Sequence, residues 1–226
     1  MSKLWVFGDS YCLPNMVTHE WKSTPWPNLL GKNLGVSSIE IHAQYGVSNN
    51  YISYLLRENF YRIEPTDKIV IVTTMINRNW WFKDHPHLTN HNAVDNSLLT
   101  KNQRNAITQY LLELSSNEFN SIISMENMMA WCRITANKIN VPIAIIAGFE
   151  AINDHTSVGS LFEVDWKEHG SFEKKQMFLD THNMRDPKDC HLHPDNHVIL
   201  AEKICDYFKH EKPIDLTTGF CKDIIF

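Results

Sequence analysis

Small and polar residues directly follow the first apolar segment of the chain, in the block Gly8-Asp9-Ser10. A glycine lets the chain turn tightly at this point. A serine at the start of the next helix presents a hydroxyl and a backbone N–H where the helix dipole favours a developing anion. The chemistry this block suggests is nucleophilic attack by Ser10, with its N–H stabilising the oxyanion. The alternative is that Asp9 or Ser10 only caps the helix.

Two later blocks hold further groups that could stabilise the same anion. Gly46 could bring its backbone N–H close to a substrate, although the same glycine also fits an ordinary turn. Asn77 could aim its side-chain amide at the point reached by the Ser10 and Gly46 N–H groups. Together they would form an oxyanion hole with three donors. The alternative for Asn77 is that it orders its own loop.

Aromatic and basic residues close to Asn77 are candidates for the rim of such a site. Trp80 and Trp81 follow Asn77 closely, and Arg78 stands between them and Asn77. Aromatic faces stack on sugars and also cradle acyl chains. The alternative for the two tryptophans is core packing of an insertion.

A fourth polar block, Asp186 to Pro194, precedes the last predicted helix and contains His191 and His193. A serine hydroxyl is a weak nucleophile unless a base takes its proton. A histidine held in the correct tautomer by a carboxylate, here Asp189 or Asp186, can be that base.

Alternating strands and helices must position these four blocks. Four apolar segments without a polar alternate face predict strands covered on both sides, at Lys3 to Phe7, Ile39 to Ala43, Lys68 to Thr73 and Val141 to Ala147. Helical patterns cover Trp26 to Leu34, Asn49 to Asn59, Arg104 to Leu114, Glu118 to Asn140, and Asp195 to Lys209 with Asp195 as its cap. Strands that alternate with helices predict a parallel sheet, with the active crevice at the carboxyl ends of its strands.

Composition narrows the class of protein. The chain has 226 residues, of which 43% are hydrophobic and 21% charged, which predicts a single folded domain over residues 1–226. A net charge of −5 without a run of lysine or arginine disfavours nucleic acid as a partner. No apolar run approaches the ~20 residues of a membrane span, and no export signal is recognisable. Five scattered cysteines fit reduced thiols, so we expect a cytoplasmic protein.

Two segments fall outside the alternating pattern. The polar stretch at about 150–188 predicts a lid over the site or an interaction surface. The tail at 213–226 predicts a docking strand or a contact to a partner. The oligomeric state is not predicted.

Taken together, the blocks resemble those of the SGNH or GDSL hydrolases, a family of esterases, lipases, thioesterases and carbohydrate deacetylases. FGDSY at the N-terminus and GVSNNYI after the second strand match well, and the resemblance spans nearly the whole chain. It implies a three-layer α/β sandwich, with a doubly wound, flavodoxin-like parallel sheet of about five strands. It also implies Ser10 as nucleophile, an oxyanion hole of Ser10, Gly46 and Asn77, and no cofactor or metal.

Two departures from the family pattern affect the third and fourth blocks. Where the family usually reads GxND, this chain has Met75 at the glycine position and Arg78 at the aspartate position. Where it usually reads DxxHP, no aspartate stands three residues before either histidine.

The last helix favours one of the two histidines. Family members often carry a helix alanine ten residues after the catalytic histidine, and Ala201 lies ten residues after His191. This favours His191 as base and Asp189 as the residue that orients it. His193, followed by Pro194 as the family's histidine often is, remains the alternative base, with Asp186 as an alternative acid.

The resemblance predicts a serine ester hydrolase that removes a small acyl group, such as acetyl, from a carbohydrate. The substrate would be a small-molecule or glycan ester. Three alternatives stay open: a lipase or thioesterase of the same family, a degenerate module that only binds a glycan or a partner, and a metal-dependent hydrolase. The last would use the HxHxD cluster of His191, His193 and Asp195 with His197, whose spacing is one residue longer than the HxHxDH pattern of metallo-β-lactamases.

Overall fold

A four-stranded parallel sheet forms the centre of the structure, a computed structural model that describes residues 1–13, 24–74, 78, 96–113, 118–147, 194–210 and 219–220. The strand order is β2-β1-β3-β4, and every neighbouring pair is parallel. The strands are β1 Lys3–Gly8, β2 Ser38–Ala43, β3 Lys68–Thr73 and β4 Ile143–Ala147. This order agrees with the doubly wound, flavodoxin-like sheet expected from the resemblance. The described residues hold four strands where about five were predicted.

Five α-helices accompany these strands in the described part of the chain: α1 Trp26–Leu34, α2 Asn49–Asn59, α3 Lys101–Glu113, α4 Glu118–Lys138 and α5 Pro194–His210. Short 3₁₀ helices cover Ser10–Cys12 and Phe60–Arg62. The predicted bounds of α1 and α2 are confirmed. None of the described helices is long and apolar enough to cross a membrane.

Two predicted helix starts are wrong. Helix α3 begins at Lys101 instead of Arg104, because Thr100 and Gln103 cap it reciprocally: the Thr100 N–H donates to Gln103 Oε1 (2.8 Å), and the Gln103 N–H donates to Thr100 Oγ1 (3.3 Å).

Helix α5 begins at Pro194, so Asp195 lies in its first turn and is not its cap. Proline suits a first helical position because its φ is already helical and it lacks the N–H that would have no partner there.

Side chains alternate between the two faces of the sheet and build a separate core on each. Leu4 and Val6 of β1 are fully buried in a cluster with residues of α1 and α5. Trp5 and Phe7 are fully buried on the opposite face, in a cluster with residues of α2 and α4. Helices therefore cover both faces, and the molecule is the predicted three-layer α/β sandwich.

Strand β2 departs from the prediction that every strand is covered on both sides. It is the edge strand, and its residues are exposed or only partly buried. Glu40 pairs with Arg62 at 3.5 Å, while the His42 ring stacks on that of Phe7 with centroids 5.2 Å apart. Burial lowers the pKa of His42, so the neutral imidazole is favoured there. An edge strand can carry such polar residues because one side of it has no neighbouring strand.

The strand order places a crevice between β1 and β3. The chain leaves β1 for β2 on one side and then crosses to β3 on the other, so the connections diverge where β1 and β3 end. In open α/β sheets this switch point is where ligands bind. Ser10 follows β1, and Thr74 and Arg78 follow β3, so the described residues of the first and third blocks flank this point.

Candidate active site

The turn that carries Ser10 begins as soon as β1 ends. Asp9 caps the 3₁₀ helix Ser10–Cys12, because its Oδ1 accepts a hydrogen bond from the Tyr11 N–H (3.1 Å). The Cys12 N–H also donates to the Asp9 carbonyl (3.1 Å). Asp9 and Tyr11 are buried, whereas Ser10 between them is partly exposed. The cap function belongs to Asp9, which leaves the Ser10 hydroxyl for another role.

Gly8 is required at the end of β1 because neighbouring atoms approach it closely. A Cβ at this position would lie 3.1 Å from the Val72 carbonyl oxygen and 3.2 Å from the Val72 Cβ, and it would also collide with Cys12 Sγ. Glycine therefore lets β1 end close to Val72 of β3 and leaves room for the Cys12 side chain of the following turn.

The loop after β2 brings Gly46 to the start of α2. Gly46 has a φ of 66°, in the left-handed region that glycine adopts without strain. Ser48 caps α2 through its Oγ, which accepts from the Tyr51 N–H at 3.2 Å. Ser48 is fully buried, so the helix start is fixed against the sheet. The expectation that Ser48 or Asn49 caps this helix is confirmed for Ser48.

Asn49 joins the Gly46 loop to the loop that leaves β3, a role that the sequence analysis missed. Its Oδ1 accepts from the Thr74 N–H at 2.8 Å, and its Nδ2 donates to the Thr74 carbonyl at 2.9 Å. The same Nδ2 lies 3.0 Å from Met125 Sδ of α4. Asn49 is 7% exposed and Thr74 is 1% exposed, so water does not compete for these bonds. The amide holds two of the candidate site's loops at a fixed spacing.

Arg78, which follows β3 in sequence, contacts Asp9, the neighbour of Ser10. Its Nη1 lies 3.4 Å from Asp9 Oδ2 and donates to Thr74 Oγ1 at 2.6 Å. The Asp9 side chain is fully buried and that of Arg78 is 21% exposed. The structure thus brings the Ser10 turn and Arg78 together, although Arg78 is 69 positions after Asp9 in sequence.

A chain of hydrogen bonds links the Ser10 turn to the first turn of α5. The Trp26 indole N–H donates to the Tyr11 carbonyl at 2.9 Å, and the Trp26 backbone N–H donates to His197 Nδ1 at 3.2 Å. Trp26 is the first residue of α1, and His197 lies in the first turn of α5. The start of α5 is therefore fixed beside the turn that carries Ser10.

The contact with Trp26 also gives His197 a structural role. His197 is 8% exposed, and its Nδ1 accepts a backbone hydrogen bond. This nitrogen therefore cannot serve as the additional ligand of the HxHxD cluster in this conformation. Within the part of the chain that the structure describes, no group of three or more His, Cys, Asp or Glu side chains could hold a metal ion.

Cys12 lies close to Ser10 and is a second potential nucleophile. Burial raises the pKa of the Cys12 thiol well above its ordinary value, and the charge of Asp9 raises this pKa further. A thiol with a raised pKa remains protonated near neutral pH, and the protonated form is not the nucleophile. Ser10 is therefore the better candidate in this turn.

Several predicted site residues lie outside the described residues: Asn77, Trp80, Trp81, Asp186, Asp189, His191 and His193. The segments at 150–188 and 213–226 also lie outside them, except for Gly219 and Phe220. Phe220 is buried in the core cluster of α1 and α5. The described half of the candidate site thus consists of Asp9, Ser10, Gly46, Asn49, Thr74 and Arg78.

Comparison with solved structures finds similarity over most of the chain. A member of the lipolytic protein G-D-S-L family from Veillonella parvula is 12% identical, with a TM-score of 0.43, covering 93% of this chain and 100% of that one. Phospholipase A1 from Streptomyces albidoflavus is 10% identical, with a TM-score of 0.36, covering 93% of this chain and 76% of that one. No protein-family model and no curated protein sequence matches the chain.

Proposed function

We propose that this protein is a serine ester hydrolase of the SGNH type, with Ser10 as its nucleophile. The observation that carries the proposal is the placement of Ser10, which is partly exposed between two buried residues at the carboxyl end of β1. That end of β1 borders the switch point of the sheet, where α/β enzymes bind their ligands.

The proposed reaction proceeds by acyl transfer through the serine. Ser10 Oγ attacks the ester carbonyl while His191 takes its proton, and the tetrahedral intermediate collapses as His191 protonates the leaving alcohol. Water then attacks the acyl-serine with His191 as base, which releases the acid and restores Ser10. Asp189 orients the histidine, and no cofactor takes part.

The oxyanion of each tetrahedral intermediate would be held by the Ser10 and Gly46 N–H groups and the Asn77 side-chain amide. The Asn49 clamp supports this assignment, because it fixes the Gly46 loop relative to the loop that leads from Thr74 towards Asn77. Preorganised donors of this kind supply much of the rate enhancement in acyl transfer.

The location of α5 supports a histidine from the preceding segment as the base. Helix α5 begins at Pro194, directly after His193 in sequence, and its first turn is joined through Trp26 to the Ser10 turn. The fourth block ends directly before this helix in sequence, which supports taking the base from that block.

We propose a small acyl group, such as acetyl on a carbohydrate, as the part of the substrate that is removed. Trp80 and Trp81, with Arg78, would form the rim that contacts the sugar. A lipase or thioesterase would use the same serine, histidine and oxyanion donors and would differ in the acyl chain that the rim accepts.

Ester hydrolysis by wild type and Ser10→Ala tests the proposal. With p-nitrophenyl acetate, butyrate and palmitate and an acetylated xylan, we expect the wild type to act fastest on acetyl esters. Loss of the nucleophile should lower kcat by ~10³-fold or more without unfolding the protein. Ser37→Ala is the matched control. Ser37 is exposed and directly precedes β2, so it lies at the amino ends of the parallel strands, whereas Ser10 follows the carboxyl end of β1. A Ser10→Ala variant that keeps more than a few per cent of wild-type turnover would exclude the serine mechanism.

A further inference from the structure

The residue next to the proposed nucleophile is a carboxylate with no exposure to water. Asp9 is fully buried, and the structure places the Arg78 guanidinium 3.4 Å from its Oδ2. Thr74, itself 1% exposed, accepts from the same Arg78 Nη1 at 2.6 Å and so fixes the guanidinium in this location. Asp9 Oδ1 is meanwhile engaged by the Tyr11 N–H. The carboxylate is thus held from both sides, directly beside Ser10.

A buried negative charge at this position opposes the proposed reaction. The tetrahedral intermediate carries its own negative charge at the Ser10 N–H, one residue from Asp9. Charges interact strongly where water is excluded, so the Asp9 carboxylate without the Arg78 guanidinium would raise the energy of the oxyanion. The positive charge of the Arg78 guanidinium can offset the charge of the carboxylate.

We propose that Arg78 is a positioning residue that acts through Asp9. By neutralising the buried carboxylate it lets Asp9 cap the Ser10 turn without repelling the oxyanion that forms there. The inference rests on the proposed function, since it needs Ser10 to be the nucleophile. It explains why arginine suits the third block of this chain at the position where the resembling family has aspartate.

The sign of the charge separates this role from a merely structural one. If the pair only stabilised the fold, Arg78→Gln would lower the melting temperature more than Asp9→Asn, because it leaves the fully buried Asp9 carboxylate without its guanidinium partner, but the kcat of the folded protein would stay at the wild-type value. If Arg78 neutralises Asp9, removing the arginine takes a positive charge away from the neighbourhood of the oxyanion, whereas removing the carboxylate takes a negative charge away. Asn also retains an oxygen that can accept from the Tyr11 N–H, so the cap survives the substitution.

Steady-state hydrolysis of p-nitrophenyl acetate by the variants tests the proposal. We expect Arg78→Gln to lower kcat by roughly tenfold or more, because the charge acts on the transition state, with little change in KM for this ester, which carries no sugar to contact the rim. Asp9→Asn should lose less kcat than Arg78→Gln. The double variant Asp9→Asn/Arg78→Gln should recover most of the kcat lost in Arg78→Gln, and Arg78→Lys should retain part of it.

Arg62→Gln provides the matched control. Arg62 makes an ion pair of similar length, 3.5 Å to Glu40, but it lies beside the edge strand β2 and its side chain is 40% exposed. The kcat of Arg62→Gln should equal that of the wild type. Thermal unfolding of each variant separates loss of fold from loss of turnover.

Three results would overturn the inference: wild-type kcat in Arg78→Gln, a double variant as slow as Arg78→Gln, or an Asp9→Asn loss as large as the Arg78→Gln loss. If Arg78→Gln does not fold, the double variant Asp9→Asn/Arg78→Gln decides alone. We expect its kcat to lie within about tenfold of the wild-type value, and a greater loss would contradict the proposed role of Arg78. An inactive Ser10→Ala alongside an unaffected Arg78→Gln would reject only this inference, whereas an active Ser10→Ala would reject the proposed function itself.

Discussion

At the scale of single residues, three neighbours at the end of β1, Gly8, Asp9 and Ser10, each have a different role. Gly8 permits the close approach to Val72, Asp9 caps the short helix, and Ser10 is left partly exposed. Sequence patterns leave two roles open for Ser10, nucleophile or cap. The hydrogen bond from the Tyr11 N–H to Asp9 assigns the cap to Asp9, which strengthens the case for a chemical role of Ser10.

A prediction at this scale concerns the two histidines before α5. We expect His191→Ala to lower kcat by several orders of magnitude, because the base must lie within hydrogen-bond reach of the serine and nothing substitutes for it. His193→Ala should change kcat only modestly. Asp189→Asn should approach His191→Ala, since a histidine in the wrong tautomer can cost ~10⁴-fold in such a triad. Steady-state hydrolysis of p-nitrophenyl acetate measures all three.

The same variants test the alternatives. A severe loss in His193→Ala with a mild one in His191→Ala would make His193 the base and correct only the alignment of the last block. If both variants were inactive and both lost stoichiometric zinc in elemental analysis, the serine mechanism would give way to a metal-dependent one.

At the scale of elements, the side-chain amide of Asn49 joins the start of α2 to the end of β3. The bond pair to Thr74 is buried, so truncation to alanine leaves a buried N–H and a buried C=O without their partner. We expect Asn49→Ala to lower the free energy of unfolding by about 1–3 kcal/mol. It should also lower kcat, because the Gly46 loop loses its fixed spacing from the loop after β3. Urea denaturation and ester hydrolysis measure the two effects.

Asn50→Ala is the control for this prediction, since Asn50 is the next residue of α2 and is exposed. Its unfolding free energy and kcat should match those of the wild type. An Asn49→Ala protein that unfolds at the same urea concentration as the wild type would show that the clamp does not hold the loops.

Elements whose signals are local could be predicted from the sequence with accurate bounds. Helix α1 ends where Gly35 adopts a φ of 65°, and α2 starts after the Ser48 cap, so neighbouring residues decide both limits. Strand β3 is an apolar run between Lys68 and Thr73, and its predicted bounds are confirmed. The T-x-x-Q pattern at Thr100 is equally local and would have placed the start of α3 correctly.

Features that depend on distant partners could not be predicted. Nothing near Arg78 in sequence indicates that it pairs with Asp9, and nothing near His197 indicates that its ring accepts from Trp26, 171 residues away. The polar residues of β2 are tolerated because that strand lies at the sheet edge, which only the strand order reveals. In the candidate site, the sequence predicts Ser10 and Gly46, which the structure places in the loops after β1 and β2, but it does not predict the Asn49 clamp or the pairing of Arg78.

At the scale of the whole molecule, one sheet and its two helical layers place the ends of β1 and β3 at a shared crevice. The order β2-β1-β3-β4 makes this pair of strands the point where the chain connections diverge. Blocks far apart in sequence therefore meet there, as Asp9 and Arg78 do. This topology also suits a module that only binds a ligand, so the fold alone does not make the protein an enzyme.

Covalent labelling with a fluorophosphonate tests the central claim most directly, because the reagent reacts with an activated serine and not with an ordinary one. Peptide mass spectrometry should find a single phosphonate adduct on Ser10, formed in proportion to the loss of esterase activity. The adduct should be absent from Ser10→Ala and present in Ser37→Ala. A wild-type protein that hydrolyses esters but carries no adduct on Ser10, or that stays unlabelled and inactive while it still binds glycans, would contradict the assignment of Ser10 as the nucleophile of a hydrolase.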